Sequence, residues 1–410
     1  MRPFLACFLA LLLCLPGCSL QMEQPQVVSR ETLEELQSQL YPAPEPEPEP
    51  VPEPQPQPEP EPTPEELRLS RAREILEGMT LEQTVGQVFF VRCPDSAGDG
   101  AALMEQYQFG GCLLFKRDFQ DAAGNWLTAD AFTAQLEDYR AGAHIAPFFG
   151  VDEEGGTVTR ASQNPNLFPE GKFRSPQKLF SQGGMEAIFQ DAALKSRQLL
   201  RYGINVNFAP VVDVTTQPGD FMYDRALGQD AQATSAYAEG VVAQMTANGV
   251  GAVLKHFPGY GNNRDTHTGV VTDDRPLEQF LESDLLPFRA GIDAGSTAVL
   301  VSHNIVNAMD STLPASLSPQ VYRVLREELG FTGVALTDDL AMDAVEDYTA
   351  GGAAAVMALQ AGADMILSSH PTTEINQVLL ALENGDLTLE RLQEAALRVL
   401  LWKLELGVIQ

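Results

Sequence analysis

Eight short apolar runs, separated by longer helix-like stretches, leave few folds open to most of this chain. They are VGQVFFV (85–91), GCLLF (111–115), PFFGV (147–151), INVNFAPV (204–211), GAVLKHF (251–257), TAVLVSH (297–303), GVALTDD (333–339) and DMILSS (364–369). Each is rich in Val, Phe, Ile and Leu and short enough to be a parallel strand buried on both faces. Residues 183–203, 235–249 and 349–362 between them read as helices, ending at Gly203, Gly249 and Gly362, where a glycine C-cap is expected. An open doubly wound sheet would carry a glycine-rich phosphate loop after its first strand. FFVRCPDSAGDG offers none. The pattern predicts an α/β chain, a single (β/α)8 TIM barrel over 65–410.

What precedes it cannot join that barrel. From Pro42 to Pro64 the chain reads PAPEPEPEPVPEPQPQPEPEPTP. Proline at nearly every second position fixes φ and removes backbone donors, so neither helix nor sheet is expected. The segment reads as a disordered, extended linker over 42–64, spanning on the order of 70 Å at about 3.1 Å per residue. Residues 1–17, MRPFLACFLALLLCLPG, pair one Arg with an apolar run of secretory-signal length, too short for the roughly 20 residues of a membrane-spanning helix. The run ends in LPGC, which resembles a bacterial lipobox and makes Cys18 the candidate lipidation site, followed by a segment over 18–41. A plain cleaved signal is the alternative. The expected location is therefore outside the cytoplasm, lipid-anchored to the bacterial membrane, or secreted if Cys18 carries no lipid.

The formal net charge is −30, with −20 of it after residue 66. No basic patch relieves it, so nucleic acid is not an expected partner. After Cys18 only Cys93 and Cys112 remain, so no disulfide framework is expected. Cys93 follows the first strand and Cys112 opens the second. That places them at opposite ends of the barrel, too far apart to be bridged.

The strands end in unusual residues. Arg92, Lys116, Asp152 and Asp213 follow strands one to four; Lys255 and His256 end the fifth, His303 the sixth, Asp338 and Asp339 the seventh, Ser369 and His370 the eighth. The C-terminal mouth of a barrel is where such groups converge on a substrate. The polar limit of a sheet accounts for one or two of these positions, but not for buried-type strands finishing in KH, SH and TDD.

The loop after the fifth strand, PGYGNNRDTHTG (258–269), carries Asp265 and His267 two residues apart. In extended backbone these project to one side. A carboxylate beside an imidazole orients the ring and raises its pKa, which suits general acid–base work. A hydrogen-bonded loop cap is the bland reading of an isolated D-x-H. A metal site built from His256, Asp265, His267, His303 and Asp338 is disfavoured. Metal-dependent barrel hydrolases usually place H-x-H on the first strand, and VGQVFFVR has no His. No cofactor is expected.

Taken in order, MTLEQTVGQVFFV (79–91), GGCLLF (110–115), VDEEGGTVTR (151–160), FAPVVDV (208–214), KHFPGYG (255–261), DTH (265–267) and TDDLAM (337–342) resemble glycoside hydrolase family 3. The likeness is to its single-barrel bacterial β-N-acetylhexosaminidases, which act on cell-wall sugars. It implies that Asp338 is the nucleophile and that His267 with Asp265 is the acid/base dyad. It implies sugar-binding roles for Asp152, Arg160, Arg225, Lys255 and His256. The reaction expected is retaining exo-hydrolysis of terminal β-linked N-acetylhexosamine from peptidoglycan fragments or related glycans, by a monomer. Tyr260 stands where the family often has His, and the dyad loop is about one residue short, which bears on the preferred sugar and aglycone. The carboxyl-terminal sandwich of many β-glucosidases of the family is not found after the barrel, which favours the hexosaminidase branch. A β-glucosidase or β-xylosidase of the same family, and a non-catalytic glycan-binding lipoprotein, are the competing readings.

Overall fold

The computed structural model describes residues 62–93, 100–261, 271–342 and 353–410, together with 29–31, 34, 35, 38, 345, 348 and 349. The signal over 1–17, Cys18, the linker up to residue 61 and the Asp265–His267 pair lie outside the described residues. The chain divides into two units, Met1–Glu61 and Pro62–Gln410. In the first, Arg30 pairs with Glu34 one helical turn on, both exposed.

The second unit opens with helices α1 (Pro64–Glu77) and α2 (Leu81–Gln87), then strand β1 (Phe89–Arg92). There follow α3 (Gly100–Tyr107), β2 (Gly111–Leu114), α4 (Ala129–Ala141), β3 (Phe148–Val151), α5 (Pro176–Arg201), β4 (Val206–Asn207), α6 (Ala231–Ala247) and β5 (Gly251–Phe257). The remainder is β6 (Thr272–Asp273), α7 (Leu285–Asp293), β7 (Ala298–Val301), β8 (Ile305–Val306), α8 (Pro319–Arg323), β9 (Val334–Thr337), α9 (Ala354–Ala361), β10 (Ile366–Ser368), α10 (Pro371–Asn384) and α11 (Leu389–Glu405). Eight strands form one parallel sheet in the order β10-β1-β2-β3-β4-β5-β7-β9. The Leu336–Met365 bridge joins β9 back to β10 and closes the barrel. All eight expected strands are present, and Gly203, Gly249 and Gly362 sit at φ +80°, +74° and +129° as caps.

Three local expectations are corrected. Pro64 is not linker: it begins α1 behind an N-cap Thr63 and a Glu66 capping box. Proline is well suited to a first helical turn, where its missing N–H has no partner to lose. Val85 to Gln87 belong to α2, so the first strand is the FFVR half of its run. Cys93 and Cys112 are not at opposite ends. Cys112 pairs with Val91, and the two thiols hydrogen-bond, with Tyr139 beside them. Both cysteines are free and buried. Strands about 4.8 Å apart and two residues out of register still leave their Cα atoms roughly 8 Å apart, beyond the limit of about 7 Å for a disulfide. A small two-stranded sheet, β6 with β8, has no counterpart in the sequence pattern.

The barrel interior is filled by inward-facing strand residues, among them Phe90, Leu113, Phe148, Val253, Leu300 and Leu336. At Gly150 a Cβ would lie 2.7 Å from the Phe90 ring and 2.8 Å from that of Phe208, so only glycine lets these rings meet. Trp402 of α11 plugs the lower end, its ring 4.4 Å from that of Phe148. The helices pack outside on a second, larger apolar layer. Among the described residues no helix is long and apolar enough to cross a membrane.

Candidate active site

Side chains alternate across a strand, so the inward rows can be followed upward. Phe90 leads to Arg92, Leu113 to Phe115, Phe148 and Gly150 to Asp152, Val253 to Lys255, Leu336 to Asp338, and Leu367 to Ser369. Apolar layers fill the barrel, and the next step of each row is polar or aromatic. The result is a cavity of about 620 Å³ at the C-terminal mouth, floored by Leu113, Phe208, Leu300 and Leu367. Asp152, Arg160, Arg225, Lys255, His256 and Asp338 all line it.

Its deepest part is an ion cluster. Lys255 Nζ, on a side chain only 3% exposed, lies 2.6 Å from Asp152 and 2.7 Å from Glu154. Arg225 grips Glu154 with both arms, Nε at 3.0 Å and Nη2 at 2.7 Å. Burial alone would raise the Glu154 carboxyl, but the Lys255 and Arg225 charges outweigh it and bring it down to about 2. Burial works against the Lys255 ammonium, and the charges of Asp152 and Glu154 raise it above the usual lysine range.

His256 is held in one tautomer. Its Nε2 lies 3.2 Å from Arg225 Nη2, which can only donate, so Nε2 accepts. The proton is then on Nδ1, 2.8 Å from Asp213 Oδ2. Asp213 also accepts the backbone N–H groups of His256 and Tyr260. With both ring nitrogens engaged, His256 fixes the Arg225 head. Tyr260 is buried, its ring 5.4 Å from His256 and 5.8 Å from Phe221.

Asp338 and Asp339 are separated by their partners. The Asp339 carboxylate accepts from Ser369 Oγ at 2.5 Å and Ala341 N at 3.1 Å. His303 fixes the same turn, with Nε2 3.0 Å from the Asp339 carbonyl. Asp338 Oδ1 accepts from Asp339 N at 2.9 Å. Arg160 is set by Glu153, whose carboxylate accepts the N–H groups of Arg160, Ala161 and Ser162 at 2.8–3.2 Å. Burial raises the Glu153 carboxyl against those bonds.

Asp265 and His267 fall in 262–270, so their geometry is outside the described residues. The stems of that segment are tied together by Arg275. It pairs with Asp273 and Asp284 at 2.8–3.0 Å and reaches the Gly259 carbonyl at 3.5 Å. Glu154 and Asp213 join the site without a motif to mark them as binding residues. The only sequence signal is their place in strand-end runs already marked by Asp152 and Lys255.

The Glycosyl hydrolase family 3 N terminal domain model matches residues 80–401. A β-hexosaminidase of Xanthomonas campestris pv. campestris is 35% identical over 265 residues, 64% of this chain and 77% of that protein. The β-hexosaminidase LpqI of Mycobacterium tuberculosis is 32% identical over 327 residues, 77% of this chain and 80% of its own. Among solved structures, a family 3 β-N-acetylglucosaminidase from Paenibacillus sp. str. FPU-7 superposes with a TM-score of 0.72 at 30% identity. The match covers 80% of this chain and 63% of that one. A closed parallel barrel, an acid-and-base cluster at its mouth and a family match across nearly the whole barrel lead to one assignment: this chain belongs to glycosyl hydrolase family 3.

Proposed function

We propose that this protein is a retaining exo-β-N-acetylglucosaminidase acting on cell-wall fragments or related glycans, with Asp338 as nucleophile and His267, oriented by Asp265, as acid/base. One observation carries the reading. Asp338 ends an inward strand row in a cavity whose other wall is the Asp152–Lys255–Glu154–Arg225 cluster. Such a cluster offers fixed donors and acceptors to sugar hydroxyls, while Asp339 is committed to Ser369. The relatives named β-hexosaminidase support the choice of an N-acetylated sugar. Asp338 attacks the anomeric carbon as His267 protonates the departing oxygen. Water, deprotonated by His267, then displaces Asp338 from the glycosyl-enzyme with net retention. His267 stands in for the second carboxylate of ordinary retaining glycosidases.

A panel of nitrophenyl β-glycosides tests the sugar. The N-acetylglucosaminide should turn over fastest, and a glucoside or xyloside ranking first would sink the reading. A slow fluorinated substrate should label Asp338; a label on Asp339 would reverse the choice between them. Asp338→Asn should lose turnover and keep its circular dichroism.

The sequence before the barrel supports a location outside the cytoplasm, with the enzyme held at the membrane by lipid on Cys18 and spaced from it by the Pro/Glu run. Labelled palmitate incorporated by the native chain and not by Cys18→Ser is the expected result. Equal labelling of both would refute the anchor.

A further inference from the structure

Most of the positive charge in the cavity is already used. Lys255 and Arg225 neutralise Asp152 and Glu154 in the closed end. Two guanidiniums remain. Arg92 lies over the Phe115 ring at 4.7 Å from its centroid, and Arg160 lies over the same ring at 5.8 Å. Among the described residues neither has a carboxylate within ion-pair range. That is unusual in a chain with 56 acidic side chains against 26 basic ones. Both face the cavity that holds Asp338. Arg92 is the one exposed residue of β1, whereas Lys255 is 3% exposed. An exo-acting site encloses the terminal sugar at its closed end and lets the leaving group run out past the rim.

We infer that Arg92 and Arg160, flanking Phe115, form a subsite for an anionic leaving group: a carboxylate carried on the residue to which the terminal sugar is linked. This rests on the glycosidase reading above. Two planar forks over one aromatic ring suit a planar carboxylate, which a guanidinium binds through paired N–H donors. The Phe115 ring supplies the apolar surface beside it. Neutralising the pair also offsets the repulsion that an acidic protein imposes on an anionic substrate.

The test compares two β-N-acetylglucosaminides that differ in one group, a 3-carboxyphenyl and a 3-carbamoylphenyl aglycone. Taking the ratio of their kcat/KM values within each variant cancels general damage to the site. The native enzyme should favour the carboxylate by about tenfold, corresponding to ~1.4 kcal/mol. The preference should shrink as salt rises from low to molar concentration. Arg92→Gln should bring the ratio close to that of a neutral pair, and Arg92→Lys should restore part of it. A native ratio of one or less overturns the subsite. An unchanged ratio in Arg92→Gln overturns the role of Arg92. A second pair, with a carboxylate or carboxamide at C6 of the terminal sugar, should show no such preference. A carboxylate preference there instead overturns the leaving-group placement. Hydrolysis of neither aglycone by the native enzyme refutes the glycosidase reading, and calorimetric titration of the same two compounds then still decides whether the site prefers the anion.

Discussion

Glu154→Gln is the substitution that most directly tests the ion cluster. Glu154 is buried, and its carboxyl is held at about 2 against an ordinary 4.5. Every tenfold change in proton affinity is worth about 1.4 kcal/mol, so the folded state gains about 3 kcal/mol at neutral pH from keeping this group charged. Because the folded pKa is depressed, that gain is complete above about pH 4.5 and drains away as pH falls toward 2. Glutamine keeps the shape and one acceptor but removes the charge, leaving Lys255 and Arg225 to share Asp152. Breaking a buried pair in this way costs about 3–5 kcal/mol. Urea titrations should therefore show the variant less stable by about 3 kcal/mol at pH 7, with the difference narrowing below pH 4.5. The same change frees two heads assigned to sugar hydroxyls, so kcat/KM on a nitrophenyl glycoside should fall by about 10- to 100-fold, as expected when a supporting partner is lost. A stability difference that is the same at pH 7 and pH 3.5 would show that the carboxylate charge is not the source, and the electrostatic account would fail.

His267→Ala should lose about 10²–10⁴-fold on substrates with poor leaving groups and far less on nitrophenyl glycosides, the signature of a lost general acid; equal loss on both would remove His267 from that role. Glu374, raised to about 7 chiefly by burial, binds a proton more tightly folded than unfolded. Stability should therefore fall as pH rises from about 4.5 to 7, by up to about 3 kcal/mol. Glu374→Gln should flatten that slope in thermal melts at pH 5 and pH 8, and a variant that melts lower at pH 8 would contradict the reasoning. Trp402→Ala should cost about 3–5 kcal/mol by opening a void at the lower end of the barrel; an unchanged denaturant midpoint would show that the plug carries no weight.

The eight strands are legible from local pattern, because each is buried on both faces and so announces itself as an apolar run. Their polar ends are legible for the same reason: Lys255 after GAVL and Asp338 after VALT break a composition that nothing else interrupts. Pro64 reads as linker because composition does not separate the last proline of a linker from the first residue of a helix; the Thr63 and Glu66 caps do.

From its sequence alone this chain determined which residues would gather at the barrel mouth, since strand alternation carries each inward row to its end. Only the tertiary structure decided what those residues do to one another. Glu154 is the middle member of no motif until Arg225, 71 positions away, closes on it. Of the acids in VDEEGG, Asp152 meets Lys255, Glu153 turns back to hold its own loop, and Glu154 takes both cations. The three differ only in the direction the backbone gives them as it leaves β3. Cys93 and Cys112 touch because β1 and β2 are offset by two residues, a register that neither strand specifies by itself. Charge pairing and register are set by distances between segments far apart in the chain, and a local pattern holds no record of such distances.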